Sequence, residues 1–147
     1  MSYHENKCIL FIFIAIIMAT VFFLYVFNVF QNDPGIINNF QFWGRTCLIF
    51  AGIIIVFHIV TYIIFAIIYK IVTKEDIPSI TDERDNKIEL IASKYSSLVT
   101  CLGFLLAMVT QAVGLPPYYL FIILFADGFI SEIVDSLAQL YLYRKGV

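Results

Sequence analysis

The chain has 147 residues, of which 61% are hydrophobic, 17% aromatic and only 14% charged, with a formal net charge of −2. A water-soluble domain of this size needs far more polar surface, so the composition excludes that class and indicates an integral membrane protein. The near-neutral charge gives no ground for a nucleic-acid partner.

A helix needs about 20 apolar residues to cross the hydrocarbon layer. The first stretch that satisfies this is 8–30, "CILFIFIAIIMATVFFLYVFNVF". It is longer than the apolar core of a signal peptide and no A-x-A cleavage pattern follows it, so it reads as a retained span. The loop "QNDPGIINNFQFWGR" comes next, with Asp33-Pro34-Gly35 as a helix breaker. A second span is expected over 46–72, with His58 as its one strongly polar deep residue. The segment 73–92 is the only substantial polar stretch. Within it Thr81 suits an N-cap, and Asp82, Glu83 and Asp85 suit the positive end of a helix dipole. The third helix should therefore start near 82 and project from the membrane before its span over 93–114. "GLPP" then predicts a tight reversal into a fourth span over 117–143. The expected fold is all-α: one transmembrane domain over 1–147, four helices running up and down.

Lys and Arg give the orientation. Lys7, Lys70, Lys74, Arg84, Lys87, Lys94, Arg144 and Lys145 fall on one side of this topology, and Arg45 alone on the other. Positive residues concentrate in the cytoplasm, so both termini and the 73–92 loop are expected there. Phe40, Phe42, Trp43, Tyr118 and Tyr119 would mark the outer border, and Tyr69, Tyr95, Tyr141 and Tyr143 the inner one.

Cys8, Cys47 and Cys101 are far apart and form neither a C-x-x-C pair nor a disulfide framework. H-E-x-x-H, G-x-S-x-G and Gly-rich phosphate loops are absent, so neither enzyme chemistry nor a cofactor is expected. Asp82, Asp85 and Glu89 do share a helix face and could offer oxygen ligands to a divalent ion. Arg84 and Lys87 stand among them, and local ion pairing explains the run equally well. The same face continues through Ser93, Ser96, Thr100 and Gly103, which reads either as a small-residue packing seam or as a polar track leading inward.

"DERDNKIELIASKYS" (82–96) and "ISEIVDSLAQLYLYRKGV" (130–147) resemble the two signatures of a family of small prokaryotic multipass membrane proteins, catalogued as a domain of unknown function. The matching positions are Asp82, Glu83, Arg84, Asp85, Ile88, Glu89, Ser131, Glu132, Gln139, Tyr143, Arg144 and Gly146. Where this chain has Asp135 the family often carries a basic residue. The resemblance implies a multipass protein of a prokaryotic plasma membrane and assigns no activity.

The most informative feature is a set of acids inside the fourth span. Asp127, Ser131, Glu132, Asp135 and Gln139 fall within about 140° of helical arc, opposite Phe125, Phe129, Ile133, Leu137 and Leu140. At ~1.5 Å per residue from Pro116, Asp127 lies ~16 Å deep, Glu132 ~24 Å and Asp135 ~28 Å. A carboxylate at mid-membrane costs ~2.5–3.5 kcal/mol on insertion scales, so Asp127 and Glu132 should face protein. His58 lies ~20 Å from the outer end and Thr100 ~21 Å, so His58, Thr100, Asp127 and Glu132 could meet in one layer. A faint repeat, "HIVTYIIFAIIYK" (58–70) on "EIVDSLAQLYLYR" (132–144), also sets His58 against Glu132. Two functional readings follow. The layer, with Ser131 and Asp135, is a proton or small-cation site in a homo-oligomer, a dimer by preference. Or it is a scaffold that fixes helix packing.

Overall fold

A computed structural model describes residues 3–33, 35–73 and 83–145. It is all-α: α1 (Tyr3–Asn32), a single 3-10 turn (Ile36–Asn38), α2 (Phe40–Thr73), α3 (Glu83–Ala112) and α4 (Pro117–Lys145). By length and composition α1, α2 and α3 are each able to cross a membrane. The helices outrun the spans expected from hydropathy because their polar ends stay helical. α2 starts at Phe40 rather than 46, since the side-chain oxygen of Asn39 accepts from the Gln41 N–H at 2.8 Å and caps it. Thr81, Asp82, Lys74 and Gly146 lie outside the described residues, so the expected N-cap and the first acid of the 82–89 run do too.

The turn between α3 and α4 follows from its sequence. Gly114 takes φ +81°, a left-handed conformation open to glycine at no steric cost. Leu115 N–H then bonds back to Thr110 O at 2.9 Å and Gly114 N–H to Gln111 O at 3.0 Å. These two bonds are a Schellman motif, which satisfies the last carbonyls of α3. Pro117 opens α4 where no backbone N–H is required.

Neighbour order gives the helix directions. Along α1 and α4, Phe30 meets Tyr118, Phe22 stacks on Phe125 at 4.2 Å, and Cys8 reaches Gln139, so the two are antiparallel. Along α2 and α4, Trp43 stacks on Phe121, Phe50 meets Phe125 and His58 meets Glu132, so these are parallel. The helices therefore alternate in direction. α4 is central, packed on α1 and α3, while α2 lies lightly against α1 and α4, and among the described residues its Cα atoms nowhere come within 8 Å of those of α3.

The core lies toward the end that holds the first loop. Ile14, Met18, Phe22 and Val26 of α1 bury against Trp43, Phe50 and Phe129, with Ile37 of the 3-10 turn as a lid. Trp43 Nε1 donates to Ile37 O at 2.7 Å, which ties the loop to α2. Beyond Phe50, α2 carries a long row of exposed Ile and Val, a surface suited to hydrocarbon rather than water.

The first turns of α3 are largely exposed but bury Ile88 and Ala92. The longer ends of α1 and α4 reach far enough to cover them: His4 Nε2 lies 3.6 Å from Asp85 Oδ2 and stacks on Tyr143.

Candidate functional site

The sequence suggests one layer of four polar groups, but the structure divides them between two faces of α4. The physical reason is the wider separation of the α2 and α3 backbones: a residue on α2 and one on α3 can share α4 without sharing a site.

The α3–α4 face holds Thr100, Ser131 and Asp127. The hydroxyls of Thr100 and Ser131 are 2.9 Å apart, and each lies near the Ser96 carbonyl oxygen, at 3.1 and 3.0 Å. Two hydroxyl protons serve three contacts, so one hydroxyl donates to the carbonyl and the other bridges. Asp127 is only 7% exposed and sits where α3 has Gly103. A Cβ at Gly103 would lie 2.0 Å from Asp127 Cγ, so glycine there is what admits the carboxyl group. Ala92 and Ala107 are fully buried on the same helix, and with Gly103 they let α3 and α4 approach closely. One turn toward the basic end, Asp135 Oδ2 accepts from Gln139 Nε2 at 2.7 Å, and Cys8 Sγ touches Gln139 Oε1 at 3.7 Å.

The α2–α4 face holds His58 and Glu132. Nε2 of His58 lies 2.5 Å from Oε1 of Glu132, and Nδ1 lies 2.9 Å from the carbonyl oxygen of Ile54 on its own helix. The juxtaposition of His58 and Glu132 that depth and the faint repeat suggested is present in the structure. The second contact assigns the protons. A carbonyl can only accept, so Nδ1 carries a hydrogen. One further proton must then lie between Nε2 and Oε1, either on the carboxyl, donating to imidazole, or on an imidazolium, donating to carboxylate. Both forms are net neutral. Without that proton, a lone pair on nitrogen would face a carboxylate oxygen at a distance only a hydrogen bond sustains. His58 and Glu132 are both partly exposed, with side chains at 26% and 28%.

A groove of about 440 Å³ runs between α2 and α4 beside this pair. Ala51, Ile54 and Ile55 form one wall, Phe125, Gly128 and Phe129 the other, and Glu132 is the one ionisable group on it. On the far side of His58 the Phe11 ring approaches at 5.8 Å. Lys7 Nζ lies 5.6 Å from the centroids of both Phe11 and Tyr62.

Sequence reasoning did not single out Lys7, Tyr62 or the His4–Asp85–Tyr143 contact. These join helices distant in sequence, and no spacing rule reports them. Gln139 could have been matched to Asp135, since four residues along a helix is contact distance. Of the acidic run, Asp85 faces His4 and Glu89 is exposed. Among the described residues no three His, Cys, Asp or Glu side chains converge as a metal site.

No protein-family model matches the chain, and neither does any curated protein or solved structure.

Proposed function

We propose that this is a four-span protein of a prokaryotic plasma membrane that binds and releases a proton at the His58–Glu132 pair. The observation that carries the reading is the tautomer argument. With Nδ1 committed to Ile54, the pair holds one exchangeable proton and is neutral while it does. A neutral resting state is what a low-dielectric site tolerates, and intramembrane acids commonly mark proton routes.

The fourth span is supported by packing. α4 has 29 residues, ~43 Å of helix, and lies antiparallel to α1 and α3, both apolar enough to cross. Two helices of spanning length that flank it along its length support a fourth crossing, with its acids turned toward protein. The alternation of helix directions gathers Lys7, Lys70, Lys87, Arg144 and Lys145 at one end and leaves Arg45 at the other, which supports a cytoplasmic position for the former. The likeness of 82–96 and 130–147 to the small prokaryotic family belongs to the same proposal. So does assembly as a homo-oligomer, because four helices alone enclose little room for a path.

A second reading, a non-transporting scaffold, is favoured by the Gly103–Asp127 and Thr100–Ser131 contacts, which fix the register of α3 on α4. Liposomes with an internal pH indicator separate the two. Proton uptake driven by an imposed gradient, abolished by Glu132→Gln with assembly intact, is the expected result. Wild-type uptake unchanged by both Glu132→Gln and Asp127→Asn would remove the acids from the mechanism. A wild type with no uptake, whose variants lose assembly, would establish the scaffold.

A further inference from the structure

The groove beside Glu132 has a chemistry that the proton reading does not use. Its walls are aliphatic and aromatic, and its volume of about 440 Å³ falls in the range of small-molecule sites, ~300–1,000 Å³. Its single ionisable group is an acid. A carboxylate offers about four acceptor positions, of which His58 occupies one. A metal ion is a poor match, because hard cations such as calcium take ~6–8 oxygen ligands and these walls are hydrocarbon. An acyl chain would satisfy the walls and ignore the acid. A cation with an apolar body satisfies both.

We infer that the α2–α4 groove binds a lipophilic monovalent organic cation, which competes for Glu132 with the proton shared by His58. The inference rests on reading that pair as a proton site, and it names a second occupant for it. The exchange balances. Before binding, one proton lies between Nε2 and Oε1 and the pair is neutral. After binding, the cation faces the Glu132 carboxylate, His58 keeps only its Nδ1 hydrogen, and one proton has left to solvent. Charge at the site is zero in both states. Hence affinity falls as pH falls, by up to tenfold per pH unit where the pair is fully protonated. Other titratable groups around the pair are Lys7 of α1, packed on the Phe11 and Tyr62 rings, Tyr62 of α2, and Asp135 a turn along α4.

Gly128 tests the groove apart from the acid. A Cβ built there meets nothing within 4 Å, so a side chain can start there without a clash and Gly128→Leu projects into the groove. The experiment uses tetraphenylphosphonium and its isosteric anion, tetraphenylborate, with the purified full-length protein in detergent, followed by calorimetry in weak buffer. The expected result is one phosphonium bound per chain with about one proton released, and at least tenfold weaker binding in Glu132→Gln and in Gly128→Leu. Tetraphenylborate should bind at least tenfold more weakly than the phosphonium. Circular dichroism confirms that each variant keeps its helices, and His58→Gln, which leaves the acid and the groove in place, should still bind phosphonium. Equal binding of cation and anion would leave an apolar surface only and overturn the inference, as would phosphonium binding that Glu132→Gln leaves unchanged, or no binding at all. A wild type whose His58 ring nitrogens titrate by nitrogen NMR but which binds no phosphonium defeats the groove alone; one whose ring nitrogens never titrate defeats the proton site as well.

Discussion

The carboxyl group of Asp127 occupies the space that a side chain at Gly103 would need. A Cβ there would stand 2.0 Å from Asp127 Cγ and 2.6 Å from its Cβ. The second distance matters more, because a Cβ cannot rotate away as the end of a long chain can. Gly103→Ala should therefore push α3 from α4 and cost ~1–3 kcal/mol, the usual range for overpacking. Reversible unfolding in mixed micelles measures it. A variant as stable as the parent would mean the helices do not approach this closely.

Thr100 and Ser131 form the second tie of that seam. Removing both hydroxyls, as Thr100→Val with Ser131→Ala, should cost less than the sum of the two single changes. Interhelical side-chain bonds in membrane proteins average ~0.6 kcal/mol and reach ~1.7. A double-mutant cycle in the same micelles gives the coupling, and a value indistinguishable from zero would show that Ser96 O alone holds each hydroxyl.

His58 and Glu132 should respond asymmetrically to substitution. Glu132→Gln keeps a donor, because the amide N–H can bond to the Nε2 lone pair, so stability should change little while the exchangeable proton is lost. His58→Phe leaves the acid without its ring partner, and an unsatisfied polar group costs ~1–3 kcal/mol. Thermal unfolding ranks the two variants. Equal losses would contradict the proton assignment that the Ile54 contact implies.

Trp43 is the only tryptophan, so its emission reports one place. It is 1% exposed and donates to Ile37 O. Its fluorescence should be blue-shifted and resist quenching by acrylamide, and Trp43→Phe should lose ~1 kcal/mol for the missing bond. Ready quenching would place the first loop away from the bundle.

Orientation can be read from Asn38, which is exposed at the end opposite Tyr3 and Lys145. A cysteine placed there in a chain freed of Cys8, Cys47 and Cys101 should label from outside intact cells. Labelling that requires permeabilisation would reverse the topology.

Much of this architecture is legible in hydropathy, because apolar runs of membrane length and a Gly-Leu-Pro-Pro reversal have few other structures open to them. The pairing of His58 with Glu132 is legible for a narrower reason: depth along a helix is a simple count, and both counts end near ~20–24 Å. Rotation around the bundle is less accessible. Depth alone assigns Thr100 and Asp127 to the same layer as His58, yet they lie on the α3 face of α4 while His58 lies on the α2 face. Nothing in the spacing announces that α2 stands off from α3, since its Ile and Val residues would serve against lipid or against another helix. The contacts of Lys7 and His4 are hidden for the same reason, as each depends on where the N-terminus comes to rest.

The Schellman turn at Gly114 also bears on the order in which the chain can be inserted. α1 is synthesised first, yet α4, its principal helix partner, is synthesised last. Until then the Ile14, Met18 and Phe22 face of α1 can wait in lipid at little cost, since acyl tails are as apolar as leucine. α4, if it crosses as proposed above, has no such freedom, because its acids would meet hydrocarbon. The four-residue reversal removes that exposure: α3 and α4 can enter as a hairpin, with Asp127 already against Gly103 and Ser131 already against Thr100. The helix that most needs shelter is made directly after the one that shelters it.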